Sequence, residues 1–299
     1  MSIQLGTPGV GGLRGVVDAL RDWQDEGAPM QLHPGDVGWF WRFGADRTAA
    51  AVRAWTRDGR IVATGLLDGP TVLRLTIAPD LRRDEELARR IVDDIIDPAR
   101  GVLPEGKASV ESPVDAPVDD LLGDEGWRTD EPWTPLHRDL AEPPPDPGIR
   151  VEVVGPDRAD VRAAVQRASF ERSTFTDERW RDMAAGPAYA DDRCLLGYDD
   201  EGTAVATATV WSAGPGRPGL LEPVGVDRDH RRHGYGTAIS VAAAAALREL
   251  GSSSAIVCTP SSNVGAVATY TAAGFRPWRE VRDRARDAEG AMAVASPPP

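Results

Sequence analysis

The chain has 299 residues, 41% of them hydrophobic and 27% charged, with a formal net charge of −13. That length suits two ordinary domains, and the acidic balance argues against generic nucleic-acid binding. No run of eighteen apolar residues occurs, which argues against a membrane-spanning helix, and Met1 to Gly15 lacks the basic start and apolar block of a secretory signal.

Cys194 and Cys258 are the only cysteines, far apart in sequence. Neither a disulfide framework nor a metal site is expected. Free thiols point to a reducing cytoplasm.

In the first half, Trp39-Phe40-Trp41 suits either a hydrophobic inter-domain face or a core strand. Leu73 to Ala78 is strand-like and leads to Arg82-Arg83 and then Asp84-Glu85-Glu86. Glu142-Pro143-Pro144-Pro145-Asp146-Pro147-Gly148 follows near the middle. Proline this dense can be neither helix nor central strand, so 142–148 is expected to be a stiff linker.

The second half alternates strand and helix signals. Ile149 to Val154 is expected as a strand, Asp157 to Phe170 as a helix capped by Asp157, and Asp177 to Ala185 as a short helix. Cys194 to Tyr198 and Thr203 to Trp211 form a hairpin across Asp199-Asp200-Glu201-Gly202. Leu220 to Val226 is a strand. Gly234 to Leu250 is a helix stopped by Gly251. Ala255 to Cys258 is a strand, Asn263 to Ala273 a helix stopped by Gly274, and Trp278 to Arg284 a last strand. From 285 to 299 the chain is expected to be a loose tail.

The halves repeat one another. Asp115, Val118, Leu122, Gly126 and Trp127 keep the spacing of Asn263, Ala266, Tyr270, Gly274 and Phe275 at a constant offset of 148 residues. This predicts two copies of one domain, 1–141 and 149–284.

The richest stretch runs from Val224 to Ala238. An apolar strand enters an arginine-rich turn, then Gly234 and Gly236, then an alanine-rich helix. Glycines let the backbone bend tightly. The first N–H groups of the helix and its dipole favour an anion. Arg231 and Arg232 add cationic side chains, and His233 offers its N–H. The guest expected on Arg231 to Thr237, with Tyr235 inside that span, is a pyrophosphate.

These residues resemble the GNAT superfamily of acyl-CoA N-acyltransferases. Arg231, Gly234 and Gly236 fill its pyrophosphate-loop motif, and Asn263, Ala266, Tyr270, Gly274 and Phe275 fill its second cofactor motif. The resemblance covers Ile149 to Arg284 directly and the first half through the repeat. A tandem pair with one active copy resembles mycothiol synthase-like proteins. It implies tandem mixed α/β domains, each a twisted sheet flanked by helices, with acetyl-CoA as co-substrate.

The resemblance also implies roles. Val224, Gly225 and Val226 would bind the pantetheine arm through main chain. Asn263 would cap its helix and bond the cofactor arm. Tyr270 is either a core tyrosine or the acid that protonates the leaving thiolate. Glu222, a lone acid on an apolar strand, is either the general base or a structural carboxylate; period-2 alternation sets it on the face of Val224 and Val226. Trp180 and Trp211 would line an acceptor pocket or fill the core. In the first copy Glu85 and Leu87 replace the loop glycines and Leu122 replaces the tyrosine, so that copy should not bind CoA.

The expected function is direct transfer of an acetyl group to a primary amine, a small molecule first. A protein amine and a non-catalytic acyl-CoA sensor are the alternatives. No nucleic acid or membrane partner is expected, and the oligomeric state is left as monomer or homodimer.

Overall fold

A computed structural model describes residues 2–27 and 31–287. The strands, in chain order, are β1 (Ile3–Gly6), β2 (Val52–Arg57), β3 (Arg60–Leu67), β4 (Val72–Ile77), β5 (Ala108–Glu111), β6 (Arg128–Asp139) and β7 (Arg150–Val153). They continue with β8 (Arg193–Tyr198), β9 (Ala204–Trp211), β10 (Gly219–Val226), β11 (Ser254–Pro260), β12 (Arg276–Pro277) and β13 (Val281–Arg286). The α-helices are α1 (Leu13–Trp23), α2 (Pro34–Phe40), α3 (Ala45–Ala51), α4 (Glu85–Ile96), α5 (Pro117–Asp124), α6 (Ala159–Ser169), α7 (Asp177–Ala184), α8 (Tyr235–Glu249) and α9 (Val264–Ala272).

The chain divides into two compact units that interleave along the sequence. Of the described residues, one holds 2–6, 51–131 and 282–287; the other holds 7–27, 31–50 and 132–281. The first unit orders its strands β1-β2-β3-β4-β5-β13. The second orders them β7-β8-β9-β10-β11-β6, with β12 also on β6. Each has one parallel pair, β4 with β5 and β10 with β11, and antiparallel neighbours elsewhere. The internal repeat is therefore visible as one strand plan used twice.

The units differ from contiguous halves in two ways. The last strand is exchanged: β6 precedes the proline linker in sequence yet pairs along β11 from Trp133 to Asp139, and β13 pairs with β5. Residues 7–50, with α1 to α3, pack with the second unit. The backbone of 142–148 is neither helix nor strand. The expected tail begins too early at 285, because Ala285 is buried and pairs with Ser109; residues 288–299 lie outside the described ones.

Local chemistry explains most element ends. Asp199 receives the N–H groups of Glu201 and Thr203, 3.0 and 2.7 Å away, and closes the hairpin between β8 and β9. Asn263 caps α9 by accepting from Ala266 N–H. Asp157 does not cap α6; it sits in a short 3-10 turn, Pro156–Arg158, that precedes the helix. Trp39-Phe40-Trp41 is not a strand: it ends α2 and starts a 3-10 turn, and Trp39 stacks on Phe175 at 5.3 Å.

Candidate functional site

The second unit opens a wedge in its own sheet. β10 and β11 pair only at Gly219 with Ala255 and Leu220 with Ile256. β11 runs on to Pro260 and β10 to Val226, without further pairing between them. On its other side β10 stays paired with β9 as far as Val226, opposite Ala206.

The ladder phase decides which main-chain groups face the wedge. Asp227 N–H donates to Val205 O at 2.8 Å. Hydrogen-bonded and non-hydrogen-bonded pairs alternate in an antiparallel ladder. Gly225 opposite Thr207 is then a bonded pair, and Val224 and Val226 form the non-bonded ones. Val224 and Val226 thus turn their N–H and C=O groups to the β11 side, where the ladder has ended. Gly225 turns its own toward β9, so of these three residues Val224 and Val226 present main chain to the wedge. A Cβ at Gly225 would lie 2.7 Å from Ser169 Cβ and 2.9 Å from Phe170 Cε2, so glycine is what lets the end of α6 approach the strand. Sequence reading passed over Ser169 and Phe170; a glycine inside an apolar strand was the signal for them.

After β10 the chain makes a 3-10 turn, Arg228–His230, and reaches the glycine bend. Arg232 and Gly234 both take left-handed backbone, at φ 69° and 86°. Gly234 is the N-cap of α8, with no side-chain cap and no acid in the first turn. The opening N–H groups of a helix have no intrahelical partner, and here no side chain of the N-cap residue meets them. Arg231, Arg232, His233 and Gly234 are exposed, and Tyr235, Gly236 and Thr237 are half-buried. Gly236 has a different reason to be glycine. A Cβ there would meet Thr269 Cγ2 of α9 at 2.9 Å, so α8 and α9 cross closely just beside Tyr270.

The side chains divide their work. Arg231 Nη2 donates to Ser169 O at 2.8 Å, so this guanidinium braces the bend against α6. His233 has its ring Nδ1 3.2 Å from His230 O, which keeps the imidazole within the turn. Arg232 projects from an exposed position.

Tyr270 is buried, edge-on to Phe275 at 6.0 Å. Burial, then the charges of Glu222 and Cys258, push its phenol above the usual range. The phenol therefore stays a proton donor to high pH, and Glu222, Cys258 and Tyr270 share one electrostatic neighbourhood. Glu222 is half-buried. Its side chain is not placed by simple alternation, because the β9–β10 register slips between Leu221 and Val224. Leu221 and Val224, three apart, both pack on the core under α8.

Trp180 and Trp211 are core residues, 4% and 0% exposed. Both meet Tyr189 edge to face, at 6.2 and 5.8 Å.

The first unit differs at the matching places. β4 and β5 pair from Val72 with Ser109 to Arg74 with Glu111, and the last two side chains are bonded at 3.0 Å. Asp84 caps α4 by accepting from Leu87 N–H at 2.9 Å, with Glu85 and Glu86 in the first turn. A helix start already capped by a carboxylate has little to offer an anion.

Among the described residues no helix is long and apolar enough to cross a membrane. Residues 160–275 match the family described as Acetyltransferase (GNAT) family. No curated protein matches the chain. Among solved structures, the chain is similar to a GCN5-related N-acetyltransferase from Sphaerobacter thermophilus, at 20% identity and TM-score 0.58 over 95% of each chain. It is similar to a tandem GNAT protein from the clavulanic acid biosynthesis pathway, at 17% identity and TM-score 0.60 over 95% of this chain and 98% of that one. Saccharomyces cerevisiae N-myristoyltransferase with bound myristoyl-CoA shares the fold at 11% identity and TM-score 0.57, over 95% of this chain and 78% of that one. The chain thus shares the fold of a tandem GNAT protein, and its residues 160–275 are similar to the GNAT acetyltransferase family.

Proposed function

We propose that the second unit is an acetyl-CoA-dependent N-acetyltransferase that acts on a primary amine by direct transfer. The observation that supports this most is the pairing of two donor sets on one wedge: the free main chain of Val224 and Val226, and the uncapped N-terminus of α8 beyond Gly234. An amide-rich arm suits the first, and a diphosphate suits the second. Acetyl-CoA supplies an activated thioester acyl group.

The chain's own residues would do the rest. Arg231 to Thr237 hold the diphosphate, with Arg232 adding charge and Asn263 ordering the start of α9. Glu222, directly or through water, takes the proton from the attacking amine. The Val226 N–H, turned into the wedge, steadies charge on the carbonyl oxygen; such a donor is worth roughly 3–4 kcal/mol where it has been removed from other enzymes. Tyr270 donates its proton to the departing thiolate, as a buried neutral phenol can. Positioning two bound reactants supplies much of the remaining rate.

A small cationic amine is the acceptor class that the acidic balance of the chain favours. The test is free-thiol release from acetyl-CoA across polyamines, amino sugars, amino acids and a peptide N-terminus. Amine-dependent release is the expected result. Tight acetyl-CoA binding with no release by any amine would leave a binding module in place of an enzyme.

A further inference from the structure

Trp211, at the end of β9, is wholly buried, and its indole Nε1–H donates to the main-chain carbonyl of Glu222 at 2.6 Å. Glu222 lies where the β9–β10 register slips. The ladder is locally disrupted at such an irregularity, and the indole holds the Glu222 carbonyl from the side.

The indole is itself held by a helix from the start of the chain. A Cβ on Gly35 would lie 2.4 Å from Trp211 Cβ and Cγ, and one on Gly38 would lie 2.4 Å from Cζ3. Only a helix with glycine at both positions can lie this close to the ring. The helix is pinned in turn. Gly35 N–H donates to His33 Nδ1 at 2.9 Å, which leaves the proton on Nε2 to face Pro218 O at 3.2 Å. The Asp36 carboxylate accepts from His33 N–H at 2.6 Å. Pro218 directly precedes β10.

We infer that Trp211 is a positioning residue for the acyl-transfer centre, locked by α2 so that its indole N–H fixes the backbone from which Glu222 projects. The inference rests on Glu222 being the base of the proposed reaction. It gives the segment 7–50 a role in catalysis by the second unit.

The test uses the full chain, acetyl-CoA and the fastest amine of the panel. One variant is Trp211→Phe. A second replaces Trp211 with 3-benzothienylalanine, which keeps the shape and lacks the N–H, so a folding failure of the first does not end the test. Both are expected to lose roughly tenfold to a hundredfold in kcat while acetyl-CoA affinity stays within about twofold, since small misplacements of a reacting group cost that much. The acid limb of their pH–kcat profiles should flatten toward that of Glu222→Gln. A folded variant with wild-type kcat and profile overturns the inference. If Glu222→Gln is impaired and both replacements at 211 are not, only the role of Trp211 falls. If Glu222→Gln keeps the wild-type profile, or no amine turns over, the base assignment falls and this inference with it.

Discussion

Arg231 and Ser169 are joined across the site: the guanidinium Nη2 donates to the serine carbonyl at 2.8 Å, at the C-terminal end of α6. Ser169 is also the residue that crowds Gly225. One end of one helix thus supports both the strand that faces the wedge and the bend that follows it. A cation at a helix C-terminus also complements the helix dipole.

This separates two neighbouring arginines. Arg231→Gln should lower the melting temperature and weaken acetyl-CoA binding by an amount that salt hardly changes. Arg232→Gln should leave stability alone and weaken binding strongly at low salt and little at high salt, because an exposed charge is screened. Calorimetry at two ionic strengths checks this; equal salt dependence of the two variants would contradict it.

Gly234 isolates the electrostatics of the bend. A Cβ there meets nothing within 4 Å, so its only structural demand is the positive φ. Asn and Asp both tolerate left-handed backbone better than Ala does. Gly234→Asn should keep measurable acetyl-CoA affinity, and Gly234→Asp should bind at least about tenfold more weakly than Asn, because it sets a like charge beside the diphosphate. Equal affinities of the Asn and Asp variants would remove the anion from this position.

Asp283, on β13 of the first unit, is pushed up to about 7 by burial first and then by Glu111 and Asp130, against the pull of Arg74. Asp119 adds to the push. Its folded value lies above the unfolded one, near 4. The stability it contributes is therefore present below about pH 4 and is lost as pH rises through 7. Asp283→Asn should raise the melting temperature at pH 8 by a few degrees and change it little at pH 4. A variant less stable than wild type at pH 8 would show that the carboxylate has a partner worth more than its burial costs.

The compact second unit needs chain from both halves. A protein starting at Ile149 lacks β6, the whole antiparallel partner of β11 between Trp133 and Asp139, and also α1 and α2. It should fail to fold or to bind acetyl-CoA. A soluble, binding 149–299 fragment would contradict the interleaved division.

Much of the site was legible because it is local. Strand, bend and helix from Val224 to Ala238, and the Asn263 cap with Tyr270 one turn on, are short-range patterns with a physical reason at each position. What the sequence hid was long-range. Exchange of β6 and β13 leaves the composition of either half unchanged, since each strand looks the same in either sheet. The register slip after Leu221 broke the alternation used to orient Glu222, and Pro223 was its only sign. The bond from Arg231 to the Ser169 carbonyl was hidden as well, because Ser169, some sixty residues earlier, carries no mark of the contact. Trp39-Phe40-Trp41 suited an inter-domain face or a core strand; the strand alternative fails because Pro34 and the His33–Asp36 capping box start a helix just before it.

The most direct test is a crystal structure of the full chain grown with acetyl-CoA. The account predicts the diphosphate on the main-chain N–H groups of Arg232 to Thr237, and the arm along Val224 and Val226 with its sulfur facing Tyr270. An empty bend beside occupied cofactor elsewhere, or a nucleotide held at the Asp84 end of α4, would contradict it.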